Sequence, residues 1–268
     1  MESNMYKFAF GLVAATLWAS SVQAGTLYSI RESDNALVSI DTNTLAYTVI
    51  GETGVFGDFG GLAYDGASDT LYWIPGRGND SLYSLNRSSG AATLIGSHGV
   101  NDLFGLEFLP GTGGLYATQF SGGSGLYKLD TSNGSATVIN GAMNQQIGGL
   151  AYDSSRNVLV GIEDGDGALW SIDPADGAQT LLFAGANVND SGLAYDPDLD
   201  RLWDFDWNGN LFRYDPTDGY QRTQLLSDLG AHDGLAYVGA VPEPETLSLF
   251  AAGLAFLAAI RHRRSAKI

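Results

Sequence analysis

Gly61-Leu-Ala-Tyr-Asp65 returns as Gly149-Leu-Ala-Tyr-Asp153 and Gly192-Leu-Ala-Tyr-Asp196, with looser copies at Gly105-Leu-Glu-Phe108 and Gly234-Leu-Ala-Tyr-Val238. The five leading glycines stand 44, 44, 43 and 42 residues apart. A period near 43, filled with short apolar runs, is the spacing of a four-stranded propeller blade. The phrase supplies the first strand of each blade. Second strands begin at Leu27, Leu71, Leu115, Leu159 and Leu202, and third strands at Leu37, Leu82, Leu126, Leu169 and Leu211. Fourth strands fall at 47–50, 92–95, 136–139, 179–182 and 223–226. Leu, Tyr, Trp, Val and Ile dominate these runs, and Gly, Asp, Asn and Pro bound them. Residues 25–240 contain no long stretch of helical period.

The copies carry an offset. The N-terminal one starts directly at its second strand, Leu27-Tyr28-Ser29-Ile30, and the missing first strand is Gly234–Val238 at the far end. Pairing the last strand onto the first sheet hides two open edges. The expectation is therefore an all-β, five-bladed β-propeller over 25–240, closed 1+3 by its C-terminal strand. The blade phrase resembles the inner strands of other secreted and lactonase-type propellers, a generic likeness that carries no single activity.

Charge narrows the function. Residues 25–240 hold 8 Lys and Arg against 27 Asp and Glu, a net −19, and the whole chain is −17. Such a surface repels phosphate backbones and argues against nucleic acid, while it would attract cations such as Ca²⁺. There is no cysteine, so neither disulfides nor thiol chemistry enters.

Both ends read as addresses. Residues 1–24 have the plan of a signal peptide: Lys7, an apolar stretch Phe8–Trp18, and Val22-Gln23-Ala24 as a small-x-small cleavage box. Residues 241–268 start with Val241-Pro242-Glu243-Pro244, continue through the apolar Leu247–Ile260 and end in Arg261-His262-Arg263-Arg264. That apolar run, expected as a single membrane helix, is shorter than the ~20 residues of a permanent span and suits a transient stop. The order closely resembles the PEP-CTERM sorting tail of Gram-negative bacteria. The resemblance implies processing of the Pro-Glu-Pro tail by an exosortase, transient residence in the inner membrane, and delivery of the propeller to the cell surface or an exopolysaccharide matrix.

The remaining motifs divide between turns and candidate sites. Asp130–Gly134, Asp173–Gly177 and Asp215–Gly219 share a leading Asp and closing Gly and are expected to be structural turns. Glu163-Asp164-Gly165-Asp166-Gly167 reads as a solvated hairpin tip. Asp204-Phe-Asp206-Trp-Asn208-Gly209 has the alternating oxygens of a calcium loop, although Asn208-Gly209 is equally a hairpin turn. Three residues before the glycines stand Asp58, Asp102, Gln146, Asn189 and Ala231, with Asp190, His232 and Asp233 beside the last two copies. These positions should ring the mouth of the propeller channel, where related propeller lactonases hold a metal with Glu, Asn and Asp oxygens. Trp203 and Trp170 fall in register with tyrosines and are expected in the blade packing. Trp73 and Trp207 break the repeat and are candidates for stacking on a sugar ring.

Two functions fit. One is a non-catalytic binding or structural propeller of the matrix, holding polysaccharide or surface proteins. The other is an enzyme acting on a sugar, lactone or polysaccharide at the channel mouth with Ca²⁺. Convergence of Asp58, Asp102, Asn189 and Asp233 on one cation-sized gap would separate them.

Overall fold

The computed structural model describes residues 25–120, 124–185 and 190–240, with residues 190 and 191 described by backbone alone. Blade 1 contains β1 (Thr26–Arg31), β2 (Ala36–Asp41) and β3 (Tyr47–Glu52). Blade 2 is β4 (Gly61–Asp65), β5 (Thr70–Ile74), β6 (Ser81–Leu85) and β7 (Ala92–Ser97). Blade 3 is β8 (Leu103–Leu109), β9 (Gly114–Gln119), β10 (Gly125–Leu129) and β11 (Ala136–Asn140). Blade 4 is β12 (Ile147–Asp153), β13 (Val158–Glu163), β14 (Leu169–Ile172) and β15 (Gln179–Phe183). Blade 5 is β16 (Asp190–Asp196), β17 (Arg201–Asp206), β18 (Leu211–Asp215) and β19 (Gln221–Leu226). The inner strand of blade 1 is β20 (His232–Val238), which pairs with β1 through Thr26↔Val238 and Leu27↔Tyr237. The ring therefore has five four-stranded sheets and the 1+3 closure expected from the offset.

Each letter of the repeated phrase has a separate job. The glycines lie where the inner strands converge on the axis. A Cβ on Gly61 would run into the Phe104 carbonyl, and one on Gly192 would come within 2.6 Å of the Gly234 carbonyl carbon. Only glycine permits that approach. The leucine packs back onto the preceding blade and the alanine forward onto the next. Leu62 thus lies in the core between blades 1 and 2, and Ala63 in that between blades 2 and 3. Five such clusters fill the seams, and each buried leucine stabilises the ring by roughly 1.5–3 kcal/mol. The aspartate closes the lower turn: Asp65, Asp153 and Asp196 accept the amides of Ala67, Arg156 and Asp198 at 2.9, 3.0 and 2.9 Å.

The turn aspartates behave as expected. Asp130, Asp173 and Asp215 accept the amide two residues on at 2.8, 2.8 and 2.9 Å, and Gly134, Gly177 and Gly219 have φ of 80°, 73° and 80°. The sequence did not reveal that four inner strands start two residues before their glycine, across a β-bulge. Blade 2 differs because Phe59 takes φ of +61° and Asp58 bridges Gly76 in parallel instead. The Gly-Leu pairs of the inner strands leave no space for a water molecule on the axis. The expected channel is thus a mouth with a closed floor.

The expected signal helix over 1–24 and the membrane helix within 241–268 lie outside the described residues. Among the described residues no helix is long and apolar enough to cross a membrane.

Candidate functional site

The upper face is where inner strands begin and where the second strand of each blade turns into the third. The first projecting residue of that turn comes once per blade: Glu32, Arg77, Phe120, Asp164 and Trp207. Four of these stand five residues after the second-strand leucine, and Arg77 stands six after because Gly76 takes the fifth place. Their backbones are tied down by the positions singled out from the repeat. Glu32, Arg77, Phe120 and Asp164 donate their amides to the carbonyls of Ala231, Asp58, Asp102 and Gln146 at 3.0, 2.8, 3.0 and 3.0 Å. The periodic set ahead of the glycines is real, but it works through main-chain carbonyls.

The side chains above those carbonyls join into one patch. Trp207, 40% exposed, packs on Phe59 with ring centroids 4.4 Å apart and planes tilted by 33°. Phe59 faces Phe104 at 5.4 Å, and Phe104 faces Phe120 at 4.7 Å. The Arg77 guanidinium sits 4.1 Å above the Phe59 ring and 3.9 Å from the Asp58 carboxylate. A cation over an aromatic face is worth ~0.5–2 kcal/mol and fixes the guanidinium in place. Burial raises the Asp164 carboxyl from its ordinary value, and the charge of Arg77 opposes that shift. Trp207 also donates its indole N–H to Glu32 Oε1 at 3.3 Å, joining blades 5 and 1.

Beneath the ring lies Asp233. It is 1% exposed, and its Oδ2 accepts the Phe59 amide at 2.8 Å. Burial first, then the neighbouring Glu32 carboxyl, push Asp233 well above the usual carboxylate range, against the amides of Gly60 and Phe59. The amide bond pins a bulky residue in the left-handed region, a conformation that costs roughly 1–3 kcal/mol and clusters at functional sites.

The structure places several of the expected site residues away from the open surface of the mouth. Trp73 is fully buried in the seam between blades 1 and 2, over the space left by Gly57 and Gly60, and presents no face to a ligand. His232 is also fully buried. Its Nδ1 donates to the Gly230 carbonyl at 2.7 Å, so Nε2 accepts the Tyr47 hydroxyl at 3.0 Å. Burial lowers the pKa of His232 to about 4, and the ring lies parallel to Phe205 at 4.5 Å. Asn189 lies outside the described residues, and Asp190 opens β16 by pairing with Asp206. Asp58, Asp102 and Gln146 reach the mouth, but as a salt-bridge partner and carbonyl acceptors.

The calcium-like loop is engaged internally. Asp204 Oδ2 accepts from Arg222 at 3.0 Å, and both residues are nearly or fully buried. Asp206 accepts the amides of Asn208 and Asn210 at 3.0 and 2.8 Å and the Asn210 side-chain N–H at 2.8 Å. Among the described residues no group of three or more His, Asp or Glu side chains could hold a metal. The Glu163–Gly167 tip is less solvated than expected: Glu163 accepts the Trp170 indole N–H and Asp166 the Ala168 amide, both at 2.8 Å. A cavity of about 600 Å³ opens on the opposite face between blades 3 and 4, lined by Leu109, Thr112, Tyr152, Asn157 and Asp173. None of the sequence-derived candidates lines it. Of the five ring residues only Trp207 stands out in the sequence; Glu32, Arg77, Phe120 and Asp164 fall into register only when counted from the second-strand leucines, not from the glycines.

Residues 240–264 match the PEP-CTERM protein-sorting motif. The chain is thus an exported, cell-surface-directed propeller whose tail is a substrate for exosortase processing. A search of curated proteins finds no match. Among solved structures, a chain of a nidogen/laminin complex superposes with a TM-score of 0.54 at 15% identity, over 79% of this chain and 80% of that one. A structural genomics protein of unknown function from Bacteroides thetaiotaomicron gives 0.57 at 18% identity, over 79% of this chain and 58% of that one. A gluconolactonase from Xanthomonas campestris gives 0.52 at 17% identity, over 82% and 84%. At these identities the likeness is one of fold.

Proposed function

We propose that the exported propeller is a non-catalytic binding module that holds neutral polysaccharide of the extracellular matrix at its upper mouth. The observation that carries this is the once-per-blade ring of Glu32, Arg77, Phe120, Asp164 and Trp207. It sets the exposed Trp207 and the half-buried Phe120 beside two carboxylates and a guanidinium held over Phe59. Aromatic faces pack on the apolar side of a sugar ring, while rigid polar groups take its hydroxyls. Net charge selects the ligand class, since a domain at −19 disfavours polyanionic uronates by long-range repulsion. The partners of this reading are the exosortase and matrix glycan, and it assigns no cofactor.

The alternative is a lactone- or polysaccharide-processing enzyme, and the fold shared with a gluconolactonase speaks for it. It needs a metal or an accessible acid and base at the mouth. The buried His232 and the salt-bridged Asp58 do not offer that arrangement.

The deciding experiment is retention of the full-length chain on immobilised neutral and acidic polysaccharides, with and without Ca²⁺. Retention on neutral glycans that drops in Trp207→Ala supports the binding module. Calcium-dependent hydrolysis of a lactone or polysaccharide, with no retention, overturns it.

A further inference from the structure

Asp233 holds an unusual position for an acid. Its Oδ2 accepts the Phe59 amide, while Oδ1 is buried and has no hydrogen-bond donor. β1 and β20 pair Ile30 with Asp233 and Arg31 with His232, and the Glu32 amide donates to the Ala231 carbonyl at 3.0 Å, so the Glu32 carboxyl in the turn after β1 is set beside Asp233. Two ionised carboxyls can only accept, whereas one proton between them supplies the missing donor.

Other charges on the surrounding elements are already matched. Asp58 and Arg77, on the loops of blade 2, pair at 3.9 Å, and Arg31 and Asp34, flanking Glu32, pair at 2.5 Å. His232, next on β20, turns to Tyr47 and the Gly230 carbonyl. Asp190 stands at the start of β16, the adjoining inner strand.

The pair controls what lies above it. Glu32 accepts the Trp207 indole N–H at 3.3 Å. Asp233 holds the amide of Phe59, whose ring packs at a tilt against that indole with centroids 4.4 Å apart. Trp207 is therefore fixed from both sides through the two carboxyls.

We propose that Glu32 and Asp233 share a single proton, and that this proton holds the Trp207 face in place over the mouth. On its loss to solvent the two carboxylates repel, Glu32 withdraws from the indole and Trp207 swings free. The shared proton regulates the glycan site proposed above, and only its consequence, weaker retention at alkaline pH, rests on that reading.

The test uses the full-length chain without ligand. Acrylamide quenching of Trp207, taken as the difference between the native chain and Trp207→Phe, is followed from about pH 5 to about pH 10. Quenching should rise by about a factor of two or more through a transition above the ordinary carboxylate range. Asp233→Asn donates to Glu32 and accepts from Phe59 at every pH, so it should hold Trp207 throughout and abolish the transition. A transition that persists in Asp233→Asn, or one confined to the range of ordinary carboxylates, overturns the shared proton. A chain with the transition but no polysaccharide retention overturns the glycan reading and leaves the shared proton standing. Retention that ignores pH, with no transition in quenching, does the reverse.

Discussion

Trp207 and Glu32 lie 175 residues apart and meet across the seam where the last blade closes on the first, indole Nε1 to carboxylate Oε1 at 3.3 Å. The contact exists only because β20 completes the sheet of β1. The upper mouth and the ring closure are thus one construction: what loosens the seam also disorders the candidate site.

Replacing Trp207 by alanine separates binding from folding. At 40% exposure the indole adds little burial, and loss of its stacking on Phe59 should lower stability by about 1 kcal/mol. Polysaccharide retention should fall about tenfold or more, as for a central aromatic anchor. Calorimetric unfolding beside a retention assay checks both; unchanged retention removes Trp207 from the site.

The closing strand should show the larger stability effect. Leu235 is 1% exposed in the seam between blades 5 and 1. Leu235→Ala is expected to cost about 2–5 kcal/mol in urea unfolding. A loss no larger than that of an exposed residue such as Val138 would mean the ring does not depend on its closure.

Glu107 makes stability depend on pH. It occupies the alanine position of the repeated phrase in blade 3 and accepts the amides of Phe108 and Tyr152 at 2.8 and 3.2 Å. Burial outweighs those two amides and raises its pKa from 4.5 to about 8. The folded state then holds a proton that the unfolded state has released. Its contribution is fully present below about pH 4.5 and is lost as pH rises toward about 8. Glu107→Gln should flatten the fall of the melting temperature over that window. An equally steep fall in the variant would place the titrating group elsewhere.

Calcium should not matter to the fold. Asp204 is fully buried against Arg222 and Asp206 accepts the turn amides of Asn208 and Asn210, so the aspartates that imitate a calcium loop are engaged within blade 5. Asp204→Asn should destabilise by about 1–3 kcal/mol because it replaces a charge-assisted bond to the largely buried Arg222 guanidinium with a neutral one. A chelator should leave the melting temperature where it was. A shift of several degrees on adding Ca²⁺ to chelated protein would return these aspartates to metal binding.

The blade strands and the turn aspartates Asp130, Asp173 and Asp215 were legible from order alone because each is set within one 43-residue period, and the closure was legible because the N-terminal copy lacks the one strand left over at the far end. The glycine spacing counts inner strands, and an Asp followed by Gly at the same register makes the same turn in every blade. Likewise, the Pro-Glu-Pro tail with its apolar run and arginines is an address written in a contiguous segment.

Which side chains face the mouth was decided by the tertiary structure. Asp58, Asp102 and Gln146 were in the right place, yet they lend carbonyls to the ring residues, a choice set by strand curvature that residue type does not record. Trp73 and Trp207 both break the repeat, but one is sealed in a seam and the other is exposed, because burial depends on neighbours from another blade. The sequence alone determined the repeating unit, since its period and turns are local. The meeting of Glu32, Phe59, Trp207 and Asp233 was left to the folded ring, since distant segments come together only when every blade curves toward one axis.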